Sequence, residues 1–217
     1  MNNPYDQQPI LDFFNYVHHA NEICDLITDD PLFGRDSSYA YGVSLVTAKK
    51  ILKKRNSLPG QIFTSVGQID SVRGVGIDTM HDILFTLRNP KLTEDALLDF
   101  VNSHNSTTEL QNAILDDPLS GWSYNRPYKM SRYEAEIIIR EKKRSFKKKI
   151  ESARTLRRLL GEYSMTLHNI FFTAWVKNFV PFDSIEEKPV LPVQNAQDLL
   201  KVFESLENFM KRVNFGG

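Results

Sequence analysis

The chain has 217 residues, 41% of them hydrophobic and 25% charged, a profile that fits a globular protein with a buried core and argues against a largely disordered chain. Its one cysteine, Cys24, excludes an internal disulfide and a thiolate zinc cluster. The 27 cations and 27 anions cancel, but residues 126–177 carry 14 Lys/Arg against five Glu, a net +9 balanced by −9 elsewhere, which suits either a polyanion-binding face or attraction between oppositely charged parts or copies.

The first residues, MNNPYDQQPILDFFNY, lack the basic start and unbroken apolar run of a secretory signal, so a cytoplasmic location is expected. LDFFN at 11–15 opens an apolar helix, and a polar connection, DDPL at 29–32, follows it. His18 and His19 stand five or six residues before Cys24. That spacing does not bring helical side chains face to face, so Cys24 reads as a small buried apolar residue. Ser44 is placed to cap a helix with Leu45, Ala48, Ile51 and Leu52 at helical intervals. FTSVGQIDSVRGVGIDTMHDILFTL at 63–87 then reads as a short helix with Val66, Ile69 and Val72, a turn at Gly74-Val75-Gly76, and a second helix with Met80, Ile83, Leu84 and Leu87.

Sliding the chain on itself by 87 residues reveals an internal repeat. LDFFN at 11–15 falls on LDFVN at 98–102, and DDPLFG at 29–34 on DDPLSG at 116–121. The same register pairs Glu22 with Glu109, Ile27 with Ile114, Tyr41 with Tyr128, Ser44 with Ser131 and Ala48 with Ala135. One unit of about 45 residues, helix, DDPL connection and second helix, therefore occurs twice. In the second copy Ser131 and Glu134 form a Ser-x-x-Glu capping box, and both second helices end in basic residues, which suit a helix C-terminus.

From 131 to 179 there is no proline, and Phe146, Ile150, Ala153, Leu156, Leu160, Tyr163, Leu167, Ile170 and Ala174 succeed one another at threes and fours. The pattern predicts a long amphipathic helix, interrupted at most at Gly161 and up to ~70 Å long if continuous at ~1.5 Å per residue. IFFTAWVKNFVPF at 170–182 contains Lys177 and Asn178 and is shorter than the ~20 residues of a membrane span. Residues 181–194 read as a proline-bearing connector, and 195–213 as a short closing helix with Leu199, Val202, Phe203, Leu206, Phe209, Met210 and Val213 on one stripe.

The apolar-Gly-apolar-Gly corner of 72–76, joined to the preceding residues 42–61, resembles the helix-hairpin-helix motif in tandem, over about residues 17–88 and partly again over 97–146. Such pairs occur in bacterial DNA-uptake (competence) proteins, in the minor pseudopilin of type II secretion and in an extrinsic photosystem II subunit. In DNA-binding members the resemblance implies phosphate held by backbone amides at the glycine corner, which here assigns Arg73, Gly74, Val75 and Gly76. Asp78 in the next helix's first turn competes for those amides, the first corner carries the insertion 28–41, and the second copy has Lys129-Met130-Ser131 in place of glycine. The corner therefore reads either as a phosphate site or as a plain turn for which glycine is the default residue.

The basic run at 140–158 supplies a candidate docking surface: Arg140, Lys142, Lys143, Arg144, Lys147, Lys148, Lys149, Arg154, Arg157 and Arg158. A solvated helix face is its plainer reading. Asp29/Asp30 and Asp116/Asp117 precede prolines and read as turn formers, not metal ligands, since no calcium-loop spacing accompanies them. The five histidines, His18, His19, His81, His104 and His168, form no zinc or nucleophile motif, and no Walker or dinucleotide-binding fingerprint is present.

The expectation is an all-α fold: a tandem helix-hairpin-helix domain over 1–92, then 93–217 as a second half-unit merging into a long basic helix and a short closing helix. No catalytic residues, metal or cofactor are expected. The leading function is a non-enzymatic adaptor or structural subunit whose partners are other protein subunits. The alternative is a sequence-independent DNA- or RNA-binding protein that uses the hairpin and the basic helix.

Overall fold

Ser44, Thr93, Ser106, Ser131 and Ser152 each accept, through the side chain, a hydrogen bond from the backbone N–H three residues on, and these caps set where five helices begin. Ser131 and Glu134 form the full capping box that the sequence predicts. The computed structural model describes residues 6–33, 42–90, 92–120, 129–161 and 164–179, all within the compact unit Met1–Pro181. Among them the architecture is all-α. The order is α1 (Gln8–Tyr16), α2 (Ala20–Leu26), α3 (Leu45–Asn56), a 3-10 turn at Pro59–Gln61, α4 (Val66–Asp70), α5 (Ile77–Arg88), α6 (Glu94–Ser103), α7 (Thr107–Ala113), α8 (Arg132–Arg144), α9 (Ala153–Leu160) and α10 (Met165–Phe179).

These helices fall into two series of five. A shift of 87 residues lays α6 on α1, α7 on α2, α8 on α3, α9 on α4 and α10 on α5, to within a turn at their ends. The correspondence extends to the connections. Gln61 and Lys148, 87 apart, both take a left-handed conformation, with φ 57° and 54°. Gly74 and Gly161, also 87 apart, lie at φ 111° and 92°, where a side chain is strained and glycine is required.

The same bonds close both series. Asn15 grips the backbone of Phe63, accepting from its N–H at 2.7 Å and donating to its carbonyl at 3.0 Å. Asn102 does the same to Ile150, at 2.8 and 2.9 Å. Arg55 reaches back from α3 to the end of α1, donating to the carbonyls of Phe14, Asn15 and Val17 at 2.9, 3.3 and 2.6 Å. Lys142 on α8 donates likewise to the carbonyls of Asn102 and His104. In each case a cation meets the exposed carbonyls of a helix C-terminus. One continuous apolar core runs through both series, from Ile10, Phe14, Ile51 and Ile83 to Val101, Ile138, Leu156 and Ile170.

The single long helix expected over 131–179 is three helices. α8 stops at Arg144, α9 occupies Ala153–Leu160 and α10 starts at Met165. The breaks have local causes: Ser152 caps a new start by accepting from Thr155 N–H, Lys148 turns left-handed, and Gly161 takes a positive φ. The apolar residues keep helical spacing because three helices face one core, whereas Phe146, expected on the stripe, is 98% exposed. The expected connector at 181–194 and closing helix at 195–213 lie outside the described residues.

Candidate functional site: a cationic edge and a buried histidine joint

Helices α8 and α9 and the turn between them present Arg140, Lys143, Arg144, Lys147, Lys148, Lys149, Arg154 and Arg158 to solvent, while Arg157 is half-buried. Arg158 pairs with Glu141 at 3.1 Å and Lys147 with Glu151 at 3.6 Å, so the edge is tied together by its few anions and remains cationic. Lys142 does not belong to this surface. It is buried, and its ammonium is spent on the carbonyls at the end of α6 and on Asn105 Oδ1 at 3.0 Å. Helical spacing explains the correction: Lys142 lies on the α8 face that carries Ala135, Ile138 and Ile139 inward. Phe146 projects from the middle of the lysine-rich turn.

At the glycine corner, Arg73 and Gly76 are exposed and Val75 is half-buried. The atoms nearest Gly74 belong to Thr47 and Lys50 on α3: a Cβ there would stand 3.2 Å from Thr47 Oγ1 and 3.6 Å from Lys50 Nζ. Gly76 caps α5 without a side chain, and a Cβ on it would stand 3.2 Å from Asp78 Oδ1. The Asp78 carboxylate thus occupies the helix start that a phosphate oxygen would need. In the second series no atom of the described residues lies within 4 Å of a Cβ built on Gly161. Glu134 replaces Thr47 there and accepts from Thr166 Oγ1 at 2.7 Å, in the first turn of α10. The corner and the cationic edge are built on different series.

Where α5 and α10 meet, His81 Nδ1 lies 2.8 Å from His168 Nδ1. Behind each imidazole stands an aspartate from a DDPL connection: Asp30 Oδ2 is 2.9 Å from His81 Nε2, and Asp117 Oδ2 is 2.9 Å from His168 Nε2. The other oxygen of each aspartate closes its own turn, Asp30 Oδ1 accepting from Leu32 N–H at 2.9 Å and Asp117 Oδ1 from Leu119 N–H at 3.0 Å. This is the turn chemistry expected of Asp before proline. A third matching pair holds the aspartate backbones: Asp82 accepts from Asp30 N–H at 3.0 Å and Asn169 from Asp117 N–H at 3.2 Å.

The two sides differ in charge. Arg88 makes a two-pronged bond to Asp117, at 2.8 and 3.0 Å. Residue 175, which matches Arg88 in the 87-residue register, is Trp175, packed 6.2 Å from the Phe85 ring. Burial works to raise the Asp117 carboxyl, but the Arg88 charge and the His168 bond outweigh it and hold Asp117 well below the usual carboxylate range. Burial likewise opposes ionisation of Asp30, and its bonds from His81 and Leu32 leave it lowered. His81 is wholly buried, sandwiched between Phe33 and Phe85 with ring centroids 3.7 and 4.2 Å away. Burial drives it down to about 4, against the raising influence of Asp30. Asp82, buried and surrounded by Asp29, Asp30 and Asp78, is pushed up to about 8.

Comparison with protein-family models, with curated proteins and with solved structures gave no match. Among the described residues no group of three His, Cys, Asp or Glu side chains is arranged to hold a metal ion. No helix among them is long and apolar enough to cross a membrane.

By motif alone His81 and His168 are two unconnected histidines. The signal that joins them was nevertheless present, because they are separated by the same 87 residues as the DDPL connections.

Proposed function

We propose that the protein is a non-enzymatic docking subunit of a larger protein assembly, and that the α8–α9 edge binds an acidic surface on a neighbouring subunit. The carrying observation is the exposure of eight cations on two adjoining helices and their turn, with Phe146 98% exposed at its centre. An aromatic side chain ringed by cations can anchor in an apolar pocket while the rim pairs with carboxylates. In this reading the two glycine corners are helix-hairpin-helix corners kept for packing. The Gly74 corner lies against Thr47 and Lys50, and Asp78 and Glu134 place negative charge at the two helix starts where DNA-binding relatives of such a motif would take phosphate.

The second reading, sequence-independent nucleic-acid binding, draws on the same cations together with Arg73 and Lys50 beside Gly74. One experiment separates the two. The full chain and its Lys147→Glu/Lys148→Glu/Lys149→Glu variant are used to capture partners from native lysate with and without nuclease, and each captured protein is retested in purified form. The docking reading expects a purified acidic protein that binds the wild type after nuclease treatment and loses the variant. Tight retention of random duplex DNA, falling steeply with salt and abolished in the variant, with no such protein, overturns it in favour of the second.

A further inference from the structure

Three hydrogen-bonded contacts lie in line: Asp30 to His81, His81 to His168, and His168 to Asp117. Each needs one proton between its heavy atoms, since two lone pairs or two N–H groups face to face at 2.8–2.9 Å repel. Two neutral imidazoles bring two protons, so the line holds one more. Asp117 does not carry it, because Arg88 and its turn bond already use that carboxylate as an anion. Asp30 does not carry it either, because the bonds from His81 and Leu32 N–H hold that carboxyl lowered, and burial between Phe33 and Phe85 keeps it off His81. The remaining place is His168, which donates from both nitrogens, to Asp117 and to His81. His81 donates from Nε2 to Asp30 and accepts at Nδ1. Among the described residues the sum over Asp30, Asp117, His168 and Arg88 is zero with this proton and negative without it.

We propose that this line is a proton-counted latch: α5 is held on α10 by one excess proton, and acid that adds a second proton at His81 Nδ1 sets two N–H groups against each other and releases the pair. The charged and titratable groups around the latch are Asp30 and Asp117 from the two DDPL connections, Arg88 and Asp82 on α5, and Asp29 and Asp78 beside Asp82. His81 folded resists protonation down to about 4 whereas a free histidine takes a proton near 6.5. Its depressed value means that the stability it contributes is present above pH 6.5 and is lost as pH falls toward 4. Asp82, raised to about 8 from 3.8, gains stability over the same descent and masks the loss. The latch is therefore measured with Asp82 replaced by Asn, the residue its counterpart Asn169 already is.

The first test is imidazole nitrogen NMR of the full wild-type chain at pH 7. The expected result is His168 protonated at both nitrogens and His81 at Nε2 alone. Two neutral rings, or two rings titrating together at the free histidine value, overturn the proposal. The second is amide exchange of the full-length Asp82→Asn chain, corrected for intrinsic rates. Protection in α5 and α10 should fall by roughly fivefold between pH 7 and pH 5, a loss of about twentyfold at His81 offset about fourfold by His168, which already holds the proton that a free histidine takes up near 6.5, and the further change His81→Phe, which keeps the ring stack, should abolish that fall. Protection that stays level in Asp82→Asn also overturns it. If either variant fails to fold, the wild-type NMR result decides alone.

Discussion

His81 and His168 meet nitrogen to nitrogen at 2.8 Å with an aspartate behind each, and the arrangement is two-fold in geometry but one-sided in charge. Among the described residues only Asp117 of the two aspartates pairs with an arginine. Arg88 is buried and packs its guanidinium 5.5 Å from the Phe172 ring and 5.7 Å from the Trp175 ring. Arg88→Met keeps the stacked volume and strands the Asp117 carboxylate. It should destabilise the fold by about 3–5 kcal/mol, read as a lower denaturant midpoint, whereas the double change Arg88→Met/Asp117→Asn should recover part of the loss. An unchanged midpoint in Arg88→Met would show that the pair is not what holds Asp117.

Asp82→Asn should stabilise the protein at pH 7. The folded carboxyl keeps its proton up to about 8 and the unfolded one releases it near 3.8. Its favourable contribution is thus complete below pH 3.8 and drains away as pH rises toward 8. Asparagine keeps the acceptor for Asp30 N–H without the ionisation. The gain at pH 7 is at most about 4 kcal/mol and vanishes near pH 4. Thermal melts across pH 4–8 check both the sign and the slope.

Lys142→Ala should behave as a core variant rather than a surface one. It removes the donors that hold the carbonyls at the end of α6, and about 1–3 kcal/mol of stability should go with them. Arg55→Ala should cost at least as much, since three carbonyls lose their donor. Lys149→Ala, on the exposed turn, should leave the melting temperature within a degree or two. Equal melting temperatures for Lys142→Ala and Lys149→Ala would show that Lys142 does not hold the end of α6.

Gly161→Ala isolates backbone strain. Among the described residues nothing lies within 4 Å of the added Cβ, yet φ 92° with ψ 149° is a region essentially closed to other residues. The expected loss is about 1–3 kcal/mol. Gly74→Ala adds a 3.2 Å approach to Thr47 Oγ1 to the same strain. It should cost more than its counterpart, as chemical denaturation of the two variants would show.

Phe146→Ser should leave the fold untouched, because the ring contributes almost no burial, and should weaken partner binding. A change in melting temperature would mean that the ring packs in solution. Unaltered affinity for the purified partner would remove Phe146 from the docking site.

Much of the scaffold was legible because helices announce themselves by period and cap: Ser44, Ser131 and the glycine corner at 74–76 all mark the expected boundaries. The sequence reads as one rod over 131–179 because three short helices sharing one core preserve the same spacing as one long helix, and nothing at Ser145 or Lys148 declares a break as proline would. The basic edge was visible as a charge run, but Lys142 could be removed from it only by knowing which way α8 faces. The histidine joint was the hardest to see. Letter matching at the 87-residue offset thins after residue 146, where Ser152 alone matches before Gly161, and returns only at Thr166, His168, Ile170, Phe172 and Thr173 against Thr79, His81, Ile83, Phe85 and Thr86, so a repeat followed outward from the DDPL connections stops short of His168.

The replacement of one arginine by an indole has an electrical consequence. Around a true homodimer axis the central particle between the imidazoles would see two equal wells and belong to neither ring. With Arg88 on one flank and Trp175 on the other, the two wells are unequal, and under the proposed proton count the shared particle belongs to His168.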